Sequence, residues 1–259
     1  MIVIKKNISI LFLVLSVSTL LVACKKDPVG MDEMKNKAKV IFINATPNAA
    51  TIASQAVREI AIYPYYNGIQ FNNFPIKFPW SNGYKAFGPG TLTIRLDTAR
   101  SIANDPPGPG AKVMEFPIQV QADNYYSLFS VGTDQNVDTF LVKDNLTLPT
   151  SGKAKILFLN LSTDAGAIDI VNAVDGKIVA ANIAYKQRKS YLEVDPGLLK
   201  YQINAAGTST VLKSSRDLVI DANSVYTVWA RGLRVIPVPG STNSNHPLQL
   251  SYHANRWTY

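Results

Sequence analysis

Cysteine is nearly absent: the 259-residue chain has one, Cys24, which excludes a disulfide scaffold and any cysteine-based zinc cluster. Histidine is almost as scarce. His246 and His253 both fall in the last fourteen residues, with no carboxylate beside either in sequence, so neither a His-ligated metal nor a Ser-His pair has local support. The chain has no His-Glu-x-x-His and no Gly-x-Ser-x-Gly segment. Basic runs of five to eight residues are also missing, which argues against nucleic acid as a partner. Charged residues make up only 17% against 47% apolar, so disorder is excluded and one or two well-cored domains are expected.

Two segments resemble ligand loops and lack the residues that would complete them. Gly108-Pro109-Gly110-Ala111-Lys112 has neither the spacing nor the following Ser or Thr of a phosphate loop. Asp134, Asn136 and Asp138 alternate as calcium ligands do, but Thr139 stands where the sharp turn needs Gly and Asn145 where the loop needs Glu. A turn and a solvated hairpin loop are the readings, and no metal, no cofactor and no catalytic residue is expected.

What is present begins at the N-terminus. Lys5 and Lys6 precede a sixteen-residue apolar stretch, Ile8 to Ala23, which is shorter than the roughly 20 residues a membrane helix needs and reads as a signal peptide over 1–23. It ends in Leu21-Val22-Ala23-Cys24, which looks like a bacterial lipobox, with the lone cysteine at the position that would be lipidated. At about 0.8 kcal/mol per buried methylene, several acyl chains on Cys24 would anchor the protein permanently. Residues 24–36 then form a charged tether with Pro28 and Gly30. The membrane, reached through Cys24, is therefore an expected partner, and the outer membrane the expected location, at the cell surface or on the periplasmic face.

An internal repeat organises the rest. Lys37 to Ala49 matches Lys153 to Ala165 at an offset of 116, with Lys, Ala, Lys, Phe, Asn and Ala identical, and Ala122 to Gly132 matches Ala222 to Gly232. Tyr84 pairs with Tyr191, each shortly before a Pro-Gly turn. Two copies follow, 37–149 and 152–259, and at about 110 residues each they are expected to fold independently. Their local signals are β throughout. Val40 to Ile43 and Ile156 to Leu159 read as buried strands; Leu92 to Leu96 and Tyr125 to Val131 read as half-buried ones. Asn67-Gly68 and Asp175-Gly176 mark hairpins. The expected fold is all-β, two tandem immunoglobulin-like β-sandwich domains behind a lipoprotein signal peptide.

The pattern resembles a tandem domain of envelope lipoproteins, the domain-of-unknown-function family numbered 4397. The second copy carries the resemblance best, through Asn160, Ser162, Asp164, Ala165, Asp169, Asp175, Gly176, Tyr191, Pro196, Gly197, Tyr226 and Thr227. The first copy departs with Asn48 in place of Asp164 and Tyr63 in place of Asp169. The resemblance implies a fold and an envelope location and supplies no chemistry.

Function is therefore sought in loops and exposed aromatics. Copy one concentrates nine of the 25 aromatics between Tyr63 and Phe87. Tyr65, Tyr66 and Trp80 are the candidate ligand-binding residues, because aromatic faces stack on sugar rings or on partner side chains. The other reading of the same residues is that they fill the copy-one core. The expected function is a non-catalytic cell-envelope lipoprotein, a surface binding or adhesion module for glycan or an envelope protein. The alternative is a structural or accessory subunit of an outer-membrane assembly.

Overall fold

Our computed structural model describes residues 35–47, 61–99, 108–133, 136–235 and 246–256, and every regular element among them is a β-strand. The signal segment, Cys24 and the tether up to residue 34 lie outside the described residues. Copy one contains β1 (Ala38–Asn44), β2 (Ile62–Tyr66), β3 (Ile69–Gln70), β4 (Lys85–Phe87), β5 (Gly90–Ala99), β6 (Pro109–Val120), β7 (Tyr125–Thr133) and β8 (Asn136–Asp144). They form two sheets, ordered β4-β1-β7-β8 and β3-β2-β5-β6. Copy two contains β9 (Ala154–Asn160), β10 (Ile168–Asn172), β11 (Ile178–Ile183), β12 (Gln187–Arg188), β13 (Leu192–Val194), β14 (Gly197–Ala205), β15 (Val211–Ile220), β16 (Val225–Arg231) and β17 (Gln249–Arg256). Its sheets run β12-β9-β16-β17, with β13 also on β9, and β11-β10-β14-β15.

The repeat is visible in the register. In copy one Lys39 lies opposite Tyr125 in a parallel pair of β1 with β7; in copy two Lys155 lies opposite Val225 in the parallel pair of β9 with β16. Asn67-Gly68 closes the β2–β3 hairpin with φ of 49° and 79°, the doubly positive turn whose twist matches that of the strands. Leu92, Ile94 and Leu96 alternate inward along β5, as a strand with one solvated face requires.

Period-two alternation builds three apolar layers from these sheets. Val40, Phe42, Ile94 and Leu128 fill the first, between the two sheets of copy one. Ile156, Phe158, Ile203 and Val228 fill the equivalent layer of copy two. The opposite faces of the same inner strands make the third. Ile41, Ile43 and Phe129 of copy one pack there against Leu157, Leu159, Leu161 and Trp229 of copy two. Phe129 meets Trp229 edge-on at 5.6 Å between ring centroids. The four sheets are thus stacked in one compact unit, each inner sheet buried on both faces.

This arrangement corrects one expectation and bears on a second. Tyr125 to Val131 is not half-buried: Tyr126 through Val131 are all buried, because the face expected to meet water meets the other copy. The copies, expected to fold independently, share an apolar layer.

Candidate functional site

The three aromatics singled out in the sequence do not form one platform. Along β2 successive side chains face opposite sides of the sheet, so neighbouring Tyr65 and Tyr66 cannot share a surface. Tyr66 is 1% exposed and stacks on Phe87 at 4.6 Å inside copy one, where burial raises its hydroxyl pKa well above the usual tyrosine range. Tyr65 is also buried. Its ring lies beneath the Arg95 guanidinium, 4.0 Å from the centroid, and its hydroxyl donates to Gln70 Oε1 at 2.9 Å. Trp80 alone is open, at 70% exposure.

Trp80 has companions that the sequence reading counted without selecting. Phe74 is 74% exposed, and Ile69 and Phe71 are exposed on the same excursion between β2 and β4. The signal was legible in Asn72-Asn73-Phe74-Pro75, where amides and a proline around an aromatic mark a surface turn rather than a strand interior. Phe71 covers Tyr66 and Phe87 with its ring edge, at 5.6 and 5.4 Å.

The excursion is pinned at several points. Asn44 Nδ2 donates to the Ile76 carbonyl at 2.9 Å, and Asn44 N donates to the Trp80 carbonyl at 3.0 Å. The Asn82 amide joins Tyr66 and Asn72, its Nδ2 lying 3.1 Å from the Tyr66 hydroxyl and from Asn72 Oδ1. Asn82 Oδ1 accepts from Phe42 N at 2.9 Å. Phe78 is buried, and its ring lies against His246 at 4.1 Å and beneath the Arg231 guanidinium at 4.8 Å, which fastens the segment to copy two. Phe74 and Trp80 are therefore presented by a backbone held in place before any ligand arrives.

The residues behind the family resemblance have a different task. Asn160 Nδ2 donates to the carbonyls of Ile183 and Gly166, both at 2.9 Å, and Asn160 Oδ1 accepts from Ser162 N. Asp164 accepts from the backbone of Arg234 and Val235 at 2.7 and 2.8 Å. Asp169 accepts from Asn182 N and Gly207 N at 2.7 and 2.9 Å. These side chains satisfy backbone groups where loops leave the sheets, the places where ladder bonds run out. A sequence model described as a domain of unknown function, DUF4397, matches residues 38–171, from the first strand of copy one into β10 of copy two. The chain belongs to the DUF4397 family. Its signature residues in this DUF4397 chain tie loops to strands, and Asn44 in copy one repeats the role of Asn160.

No curated protein matches the sequence. Among solved structures, the C-terminal domain of AlgF from P. aeruginosa aligns at 14% identity over 40% of this chain and 98% of that one, with a TM-score of 0.28. A proposed cell adhesion protein from Bacteroides fragilis aligns at 9% identity over 86% of this chain and 99% of its own, with a TM-score of 0.21. Another from Bacteroides eggerthii aligns at 10% identity over 86% and 97%, with a TM-score of 0.20.

The segments expected as a turn and a hairpin loop are largely strand: Pro109 to Lys112 lie in β6 and Asn136 and Asp138 in β8, while Asp134 lies outside the described residues. Asp138 is ion-paired to Lys186 of copy two at 2.5 Å, which holds its carboxyl below the usual range against the cost of partial burial. Among the described residues no group of three or more His, Cys, Asp or Glu could hold a metal ion. No helix among them is long and apolar enough to cross a membrane.

Proposed function

We propose that this DUF4397 protein is a non-catalytic cell-envelope lipoprotein, anchored through Cys24, that captures glycan on the exposed loop of copy one. The observation that carries the reading is the exposure of Phe74 and Trp80 on a loop pinned by Asn44 and Asn82. A solvated Trp costs apolar surface with no return in folding, and a sugar ring offers the flat apolar face that would cover it. Asn73, exposed beside Phe74 on the same loop, has an amide with the donors and acceptors that hydroxyl groups require. Copy two has Gln187 where copy one has Trp80, the two residues preceding the matched contacts of Ser81 with Ile43 and Arg188 with Leu159, so capture belongs to one copy.

Affinity electrophoresis of the protein through polysaccharide extracted from the native envelope tests this. Phe74→Ala with Trp80→Ala should abolish retardation while the melting temperature holds; unchanged retardation would reject the loop as the site. Co-purification of a membrane protein that is lost in the same variant would instead favour the accessory-subunit reading. Anchoring is tested separately: Cys24→Ser should move the protein to the soluble fraction and remove labelling by a palmitate analogue.

A further inference from the structure

A cleft of about 650 Å3 opens between the two copies, on the other face of the strand segment that carries Trp80. Ser81 bridges Ile43 antiparallel, and paired residues in a sheet share a face. Ile43 lies in the layer between the copies, so Ser81, and Gly83 two residues on, turn toward copy two. Both line the cleft, together with Tyr84. Asn82, between them, turns to Tyr66 instead. The cleft and the glycan loop therefore use opposite faces of one segment.

Copy two closes the opposite wall with Tyr226, Tyr252 and His253. Tyr226 and Tyr252 have ring centroids 6.2 Å apart at a 47° tilt. Asp221 stands exposed at the rim, its carboxylate accepting from the Tyr226 hydroxyl at 3.1 Å. Burial lowers the His253 pKa to about 4, so this ring is neutral at physiological pH. Among the described lining residues the one formal charge is that of Asp221, in a chain whose net charge is +8.

The internal repeat shows what this geometry accommodates. Arg188 pairs with Leu159 as Ser81 pairs with Ile43, and Lys189 N donates to the Phe158 carbonyl as Asn82 N donates to that of Phe42. Arg188 is thus the copy-two counterpart of Ser81, and its guanidinium acts electrostatically on Asp144 and Tyr191. The repeated lysines do the same on tyrosine faces. Lys39 lies 5.1 Å from the Tyr125 centroid and Lys155 lies 4.9 Å from that of Tyr191. Each of these places holds a cation from the chain itself, whereas the cleft has Ser81 and Gly83 where a long basic side chain would reach in. Arg216, 5.9 Å from the Tyr252 centroid, is tied to the Leu250 carbonyl and does not line the cleft.

We propose that this cleft is a binding site for a small organic cation, an alkylammonium group seated against Tyr84 and Tyr252 and paired with Asp221. Tyrosine faces attract cations through the ring quadrupole, the carboxylate supplies the counter-charge, and Ile41 and Val219 receive the aliphatic stem. The site shares no residue with the glycan loop's Phe74 and Trp80, so the two readings stand or fall separately.

Tyrosine-ring NMR of the full chain, titrated with N-acetyl-lysine methylamide and with its neutral isostere N-acetyl-norleucine methylamide, tests the proposal. The lysine derivative should give saturable shifts at Tyr84 and Tyr252, and the isostere should bind roughly tenfold more weakly. Asp221→Asn, at an exposed position, should weaken the cation about fivefold and leave the isostere unchanged. Ser81→Arg, which installs the copy-two residue, should abolish binding in a protein that still melts cooperatively. Equal affinity for the two probes would overturn the cation assignment. The absence of saturable shifts, or shifts indifferent to both substitutions, would remove the site.

Discussion

The Tyr84 hydroxyl donates to Asp144 Oδ2 at 2.8 Å and accepts from Asn255 Nδ2 at 2.9 Å, so one phenol joins the last strands of both copies. Ser127 donates to the same carboxylate at 2.9 Å, and Thr227 donates to Asn255 Oδ1 at 2.7 Å. Ser127 and Thr227 are counterparts in the repeat, as are Tyr84 and Tyr191. These side chains satisfy part of one another's demand, which limits the cost of their burial, while Asp144 Oδ1 and Trp229 Nε1 are buried there with no hydrogen-bond partner among the described residues.

Two titrating groups in this region work against each other. Burial pushes the Asp144 carboxyl up from 3.8 to about 6, partly offset by hydrogen bonds from Tyr84 and Ser127 and by Arg188, while burial pulls His253 down from 6.5 to about 4. An acid raised by folding holds its proton more tightly in the folded state. Its contribution is full below 3.8 and is lost as pH rises through about 6. A base lowered by folding has the opposite effect: stability present above 6.5 is lost as pH falls through about 4. Each amounts to about 3 kcal/mol across its window. The parent's stability should therefore vary little between pH 4 and 6.5. Asp144→Asn should lose stability steeply on acidification over that range, and His253→Phe should gain it. Urea unfolding at four pH values decides the matter, and variants that follow the parent's profile would remove the opposition.

Trp80→Ala and Phe74→Ala should each change unfolding free energy by no more than about 1 kcal/mol, because both side chains face water. Tyr66→Ala should cost about 3 to 5 kcal/mol through lost burial and the cavity left between Phe71 and Phe87. Thermal and urea melts of the three variants separate the presented aromatics from the packed one. A large loss for Trp80→Ala would place that ring in the core.

The sequence carried the strands, the Asn67-Gly68 and Asp175-Gly176 turns and the repeat, because period-two patterning and turn chemistry are local. It showed that Ile41 and Leu157 are apolar but not that they cover each other: a strand apolar on both faces announces double burial without naming its cover. The platform of Tyr65, Tyr66 and Trp80 failed for a local reason, since adjacent strand residues face opposite ways. The cleft was invisible because its opening depends on what Ser81 and Gly83 lack, and small residues in a loop read as an ordinary turn.

Residues 152–259 produced alone should expose Leu157, Leu159, Leu161 and Trp229. This half is expected to self-associate or to melt well below the whole chain, whereas the whole chain unfolds in one transition. Sedimentation and calorimetry of both would show it. A monomeric half as stable as the parent would mean that the shared layer contributes little.

Asn160→Ala should leave the Ile183 and Gly166 carbonyls and Ser162 N short of a partner and cost about 2 to 4 kcal/mol. Glycan capture by the surviving folded fraction should be unaltered. A variant of parental stability that has lost capture would turn this family residue from a staple into part of a ligand site.

The parallel pairing of β1 with β7 places Lys39 beside Tyr125, 86 residues later in the chain. A chain made at roughly 5 to 20 residues per second brings these partners together about 4 to 17 s apart. Until β7 emerges, β1 can pair only with β4 along one edge and leaves its other edge open, the kind of segment that recruits other chains. Ordering it means closing a long loop before the sheet repays the entropy, so folding should be slow and dominated by distant contacts. Wild-type yield should then depend on a holding chaperone that shields residues 38–44 until the seventh strand arrives.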